Sequence, residues 1–205
     1  MKQEKKEALT EFHRRTIQDA AEALFIEKGV EATSIEEIAK MAGYSKATLY
    51  VYFKSKADIW NTVLYSSMKM LRENVVNAVS QNGDAIEKYF AVCGAITDFS
   101  EEYPLYFEGL LGTILLKEDD LNRQIYEIGE EIMSVVSQLI TQGIEEGVIR
   151  GDVQFPHVAF VFWSCISGMI RMASQKEAYF STVTGCGKRE LLRYGFETLL
   201  SGVTR

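Results

Sequence analysis

Residues 34–56, SIEEIAKMAGYSKATLYVYFKSK, decide how the whole chain is read. Ser34 stands just before Ile35, and Glu37 follows three residues later, the spacing at which a hydroxyl and a carboxylate cap each other's backbone at a helix start. Ile35, Ile38, Ala39 and Ala42 then form one face of a short helix that Gly43 stops. Ser45 opens a second short helix, in which Leu49 and Phe53 lie about 40° apart at about 100° per residue and so define the inward side. The turn Ala42-Gly43-Tyr44-Ser45 has the length of a helix-turn-helix connection, and Gly43 can adopt the positive φ such a turn needs. Ala47, Thr48 and Val51 face away from the core, with Lys46 and Tyr50 on the flank. Side chains this small let a helix approach a major groove closely. Lys46, Tyr50, Tyr52, Lys54 and Lys56, with the hydroxyls of Thr33, Ser34 and Ser45, surround it with donor types suited to phosphates.

Outward from this stretch the hydrophobic spacing is helical almost everywhere. Upstream, Ile17, Ala20, Ala21, Leu24 and Phe25 fall on one helix face, and Gly29 is a plausible stop. Downstream, Ser55 with Asp58 reads as the cap of a long helix through Ile59, Val63, Leu64, Met68, Leu71 and Val75 to Asn82-Gly83. About 25 residues of helix span roughly 37 Å. Ala85, Ile86, Tyr89, Phe90, Cys93 and Ile96 share another face, and Pro104 is expected to open a helix over 104–117. Leu121, Ile125, Ile128, Ile132, Val135 and Leu139 form a seam suited to a bundle. Pro156 is expected to begin an apolar helix ending near Ser174. Gly185-Cys186-Gly187 reads as a loop before a final helix over 188–201. The fold class is therefore all-α: an N-terminal three-helix helix-turn-helix domain, residues 1–56, and a larger C-terminal helical bundle, residues 57–205.

Composition narrows the function classes. A chain of 205 residues can bury a sizeable core without disulfides or metal. Its three cysteines, at 93, 165 and 186, cannot form a complete disulfide framework, and the charged first residues show no secretory signal, so a reduced, cytoplasmic protein is expected. The net charge of -7 is unevenly placed: residues 1–60 carry ten basic and ten acidic side chains, and the deficit lies beyond them. Nucleic-acid affinity depends on charge near the phosphates rather than on the whole-chain sum. Residues 153–170 carry no formally charged side chain, but Gln154, Pro156, His157, Ser164 and Ser167 dilute the run, so burial in a bundle or dimer interface is expected rather than a membrane span.

The string EKGVEATSIEEIAKMAGYSKATLYVYFKSKADI, within residues 17–60, resembles the N-terminal DNA-binding domain of the tetracycline-repressor (TetR) family. Glu27-Lys28-Gly29, Ile38-Ala39, Ser45-Lys46-Ala47-Thr48-Leu49-Tyr50 and Tyr52-Phe53-Lys54-Ser55-Lys56 fall where that family's pattern expects them. Ala47 departs from the glycine of many members, and Tyr52 from their histidine. The resemblance implies phosphate contacts for Tyr50, Tyr52 and Lys56, base-edge positions for Lys46, Ala47 and Thr48, and a phosphate beside Thr33 or Ser34, with Ser45 at the start of the recognition helix. Read without it, Tyr50 and Tyr52 could equally be packing residues with their hydroxyls in water.

The resemblance also implies a homodimer that binds double-stranded operator DNA, and a small-molecule effector held among the C-terminal helices. Tyr89, Cys93, Tyr106, Tyr126, Trp163 and Arg171 are the pocket candidates, although each aromatic could be ordinary core and Arg171 could simply reach solvent. The helices 157–174 and 188–201 are expected to meet their two-fold mates, with Phe162 and Leu192 as interface residues. No cofactor and no metal site is expected, since neither CxxC nor HxxxH spacing occurs, and no catalytic motif is present. Two rivals remain: a related activator or partner-controlled regulator, and a helical carrier or enzyme that has lost DNA binding.

Overall fold

The computed structural model describes residues 2–111, 120–155 and 157–205. Among these residues it contains helices and turns but no strand, apart from an isolated antiparallel bridge between Ile149 and Thr204. The helices are α1 (Lys2–Lys28), α2 (Ile35–Met41), α3 (Lys46–Tyr52), α4 (Lys56–Ser80), α5 (Ala85–Glu102), α6 (Pro104–Leu111), α7 (Asp120–Glu145), α8 (His157–Gln175), α9 (Glu177–Thr184) and α10 (Lys188–Ser201). No described helix is long and apolar enough to cross a membrane. The chain divides into two compact units, Met1–Met68 with Leu105–Ile125, and Lys69–Pro104 with Tyr126–Arg205.

In the first unit, Ile17, Ala21, Leu24 and Phe25 of α1 meet Ile38 and Ala39 of α2, Leu49 of α3, Phe53 and Ile59. These are the positions the helical period selects, and all are buried. Trp60 and Leu105 pack on the rim of this cluster, and the Trp60 ring meets Phe25 edge-on at 5.5 Å. A Cβ at Gly109 would lie 2.6 Å from Trp60 and 2.7 Å from Leu64, so glycine is what lets α6 approach α4.

In the second unit, α5 supplies Tyr89, Val92, Cys93, Ile96 and Phe99 to a core shared with Ile166 and Ile170 of α8 and Leu192, Phe196 and Leu200 of α10. Tyr89 donates its hydroxyl proton to the Phe196 carbonyl (2.9 Å), which satisfies the one polar atom that burial would strand. Asp84 caps α5 reciprocally with Glu87, and Glu146 accepts from the Ala85 amide at 2.8 Å, tying the end of α7 to the start of α5. On α7, Ile128 and Leu139 of this unit are buried, with Ile132 and Val135 half-buried; Leu121, half-buried, and Ile125, buried, belong to the first unit. Arg72 of α4 pairs with Glu131 of α7, and Arg189 of α10 pairs with Asp98 and Glu101 of α5.

Three expectations are corrected or extended. α1 begins at Lys2, well ahead of the apolar period that reveals it. Residues 177–184 are helical rather than connecting, and none of their side chains is buried. Leu192 is buried within its own unit, and the half-buried Phe162 packs on Tyr89 at 5.6 Å; the side chains that α8 and α10 leave to solvent include Phe160 and Tyr194, each 70% exposed. Residues 112–117, the second half of the helix expected from Pro104, and Pro156 lie outside the described residues.

Candidate nucleic-acid interface

The geometry of residues 33–56 follows from local capping chemistry. The Ser34 hydroxyl accepts from the Glu37 amide (3.3 Å), and the Glu37 carboxylate accepts from the Ser34 amide (2.9 Å) and hydroxyl (2.7 Å). Lys28 also pairs with Glu37. The Lys28 ammonium and then the Ser34 donors hold the Glu37 carboxyl down at about 2, below its usual 4.5. A carboxyl whose folded value is depressed contributes stability above its unfolded value, and loses that contribution as pH falls through the folded one. The advantage of the native chain over Glu37→Gln should therefore be complete above about pH 4.5 and fade toward pH 2. Melting temperatures of both proteins across that range measure it; a constant difference would remove Glu37 from the acid response.

After α2, Gly43 takes φ +76°, and the Tyr44 amide reaches back to the Ala39 carbonyl at 2.8 Å. This left-handed step closes the carbonyl end of α2 and reverses the chain. Ser45 caps α3 by accepting from the Thr48 amide (3.0 Å), and its hydroxyl also meets the Thr48 hydroxyl at 2.8 Å. With Leu49 and Phe53 buried beneath, α3 leaves Lys46, Ala47, Tyr50 and Val51 exposed and Thr48 half-buried. Lys46 lies 6.0 Å from the Tyr50 ring centre and pairs with Glu36 of α2. That pair raises the Lys46 ammonium and lowers the Glu36 carboxyl, each mainly through their shared hydrogen bond.

Tyr52 is half-buried, and its ring lies 5.3 Å from that of His13, whose Nδ1 is 2.6 Å from the Tyr44 hydroxyl. Arg14 donates to the Tyr52 carbonyl and stacks 4.3 Å from the Phe53 ring centre. These contacts fix the end of α3 against α1, and sequence reasoning passed over both His13 and Arg14. Their partners lie 31 to 39 residues away along the chain, beyond the reach of any local pattern.

Two candidate phosphate contacts have a different place. Thr33 is buried, and its hydroxyl donates to the Gly29 carbonyl at 2.8 Å. Lys56 is half-buried and donates to the carbonyls of Val30 (2.6 Å), Glu31 (3.2 Å) and Thr33 (3.0 Å). An ammonium has three donors, and all three are occupied by the loop joining α1 to α2. Lys56 thus pins that loop in the DNA-free chain. Lys56→Met keeps the aliphatic stem but leaves these carbonyls without a charged donor, so it should destabilise the fold by about 1–3 kcal/mol. Thermal unfolding without DNA is the measurement; unchanged stability with weakened DNA binding would return Lys56 to a phosphate.

The pocket candidates divide between the two compact units. Tyr89 and Cys93 sit one turn apart in the buried core, where burial pushes the Cys93 thiol up to about 12 and the Tyr89 hydroxyl up as well. Trp163 is half-buried, Tyr126 and Arg171 are exposed, and Tyr106 is buried in the other compact unit. Exposure takes Tyr126 and Arg171 out of any enclosed pocket within the second unit. Among the described residues no group of three or more His, Cys, Asp or Glu side chains could hold a metal ion.

Residues 17–63 match the family described as bacterial regulatory proteins, tetR family. A fatty acid metabolism regulator protein of Bacillus subtilis is 27% identical over 134 residues, covering 64% of this chain and 68% of that protein. The structure of PfmR, a TetR family transcriptional regulator from Thermus thermophilus, superposes with a TM-score of 0.68 at 26% identity over 93% of this chain and all of that one. FadR from Bacillus subtilis in complex with stearoyl-CoA shares the fold, with a TM-score of 0.71 at 21% identity over 92% of this chain and 98% of its own. The capped α2–turn–α3 unit lies within the matched stretch, and the helical architecture is shared with PfmR over 93% of the chain: residues 17–63 carry the pattern of the tetR family of bacterial regulatory proteins.

Proposed function

We propose that the chain is a transcriptional repressor that binds operator DNA as a homodimer through α2 and α3, and that a small organic ligand in its C-terminal part releases it. The observation that carries this reading is the exposed side of α3. Lys46, Ala47, Tyr50 and Val51 are presented to solvent on a helix whose opposite side is anchored by Leu49 and whose start is capped by Ser45. Residues 1–56 form the DNA-binding domain and residues 57–205 the ligand-binding and dimerisation domain. Lys46, Ala47 and Thr48 face base edges, Tyr50 and Tyr52 reach phosphates, and Ser34 and Ser45 act as caps whose helix starts lie beside the backbone.

Homodimerisation is supported by the apolar side chains that α8, α9 and α10 leave exposed: Phe160, Val161, Met172, Tyr179, Val183 and Tyr194. An apolar surface of this kind marks an association site. Long-chain acyl-CoA is the effector class to try first, because the similar FadR structure holds stearoyl-CoA and a regulator of fatty acid metabolism is among the relatives. The experiment is selection of bound duplexes from a random pool, followed by fluorescence anisotropy with and without stearoyl-CoA. The expected result is salt-dependent binding of a two-fold sequence that stearoyl-CoA weakens, while Thr48→Ala changes base preference. By linkage, operator must weaken ligand binding by the same factor. Absence of duplex binding would leave a helical carrier or enzyme; binding that no acyl-CoA affects would discard only this effector class.

A further inference from the structure

We propose that Glu36 of α2 is a specificity-determining residue: its pairing with Lys46 of α3 lets the ammonium read a guanine and withholds it from phosphates. This deepens the operator-binding reading above and rests on it. Residues 34–56 carry two carboxylates, Glu36 and Glu37. Glu37 is held within the chain by the Ser34 capping box and by Lys28. Glu36 takes no part in that box; its carboxylate accepts from the Lys46 ammonium across the turn, and both side chains are exposed. Lys46 is the first residue of α3 and also lies 6.0 Å from the centre of the Tyr50 ring. An exposed ion pair contributes little to stability, and α2 and α3 already meet through buried Ile38, Ala39 and Leu49. The fold therefore has little need of a carboxylate beside the exposed face of α3, where the partner is an acidic polymer.

A carboxylate at that place is repelled by every phosphate, so it lowers affinity for all duplexes unless a cation accompanies it. With Lys46 the pair is neutral and gains nothing from phosphates, which are all that a random duplex offers. An ammonium has three donors. Glu36 engages one, and the two that remain match the N7 and O6 acceptors that guanine presents in the major groove. Glu36 and the Tyr50 ring also order the lysine before DNA arrives, so less freedom is lost on binding. A lysine released from Glu36 would swing to the nearest phosphate instead, a contact that carries no sequence information. The pair thus lowers affinity for duplexes in general and raises discrimination between them.

The test uses the full chain with Glu36→Gln, Lys46→Met and the two combined. Melting temperatures should stay close to native in each, because both side chains are exposed and the Ser34–Glu37 box is untouched. Anisotropy with the selected operator and with a random duplex is followed across a salt series. Glu36→Gln should raise affinity for the random duplex and steepen its slope of log affinity against log salt by about 0.9 for the new phosphate contact on each protomer. Its preference for operator over random duplex should fall at least about tenfold, with the guanine requirement lost at one base pair of each half-site. In the Lys46→Met background the same substitution removes only a repelling carboxylate, so both affinities should rise equally and the preference should not move. Equal gains on both duplexes in the native background overturn the proposal, because Glu36 would then act by charge alone. So does an equal fall in preference with and without Lys46, since Glu36 would then act without the lysine. Either result leaves operator binding standing, whereas a native chain that binds no duplex overturns the operator reading and this proposal together.

Discussion

Leu49→Ala should abolish operator binding although Leu49 has no atom exposed to solvent or DNA. α3 is seven residues long, far below the length at which a helix persists alone in water. Its helicity depends on the Ser45 cap and on Leu49, which is wholly buried among Ile17, Phe25, Ile38 and Phe53. Removing the isobutyl group forfeits its transfer energy and leaves a cavity, together about 2–5 kcal/mol. Marginal domains have little more than that in total. The outcome expected is a first unit that melts at much lower temperature and binds neither operator nor random duplex at 37 °C. Leu49→Met, which conserves volume, should cost less than about 1.5 kcal/mol and retain binding. Calorimetry and anisotropy on the same preparations measure both effects. A Leu49→Ala protein with native affinity would mean that α3 does not present the DNA-contacting side chains.

The α2–turn–α3 unit was legible in the sequence because the caps and the turn that shape it are local. The Ser34–Glu37 box, Gly43 at φ +76° and the Ser45 cap each join residues within four of one another. The same locality explains what was missed. α9 buries none of its side chains, so no apolar period betrays it, and the first turns of α1 are hidden for the same reason. The roles of Lys56 and Thr33 depend on carbonyls placed by the turn after α1, and a lysine beside a helix start carries no sign of whether its donors will be occupied within the chain. For the pocket candidates, composition identifies aromatic residues but not their direction, and Tyr126 and Arg171 prove to face solvent while Tyr89 is held by the Phe196 carbonyl.

Direction also decides which substitutions test the dimer. Phe160→Glu combined with Tyr194→Glu should give a folded monomer, because both side chains are already exposed on α8 and α10 and a carboxylate there is solvated when the protomer is alone. In the homodimer the same carboxylates would meet an apolar surface without a cationic partner, and stranding a charge in this way costs about 3–5 kcal/mol. With two substituted residues on each protomer, the dissociation constant should rise by at least about a thousandfold, since 1.4 kcal/mol is a factor of ten. Leu192→Glu makes the contrast, as it places the charge in the core of the protomer on the buried side of α10, and should unfold the second unit instead. Sedimentation velocity at micromolar concentration distinguishes the two classes, with circular dichroism as the folding control. The DNA consequence is separable. A monomer holds one half-site, so the number of phosphates contacted, and with it the slope of log affinity against log salt, should fall to about half. A Phe160→Glu, Tyr194→Glu protein that remains dimeric would place the two-fold contact on some other surface. A monomer with the native salt slope would show instead that the two recognition helices do not act together on one operator.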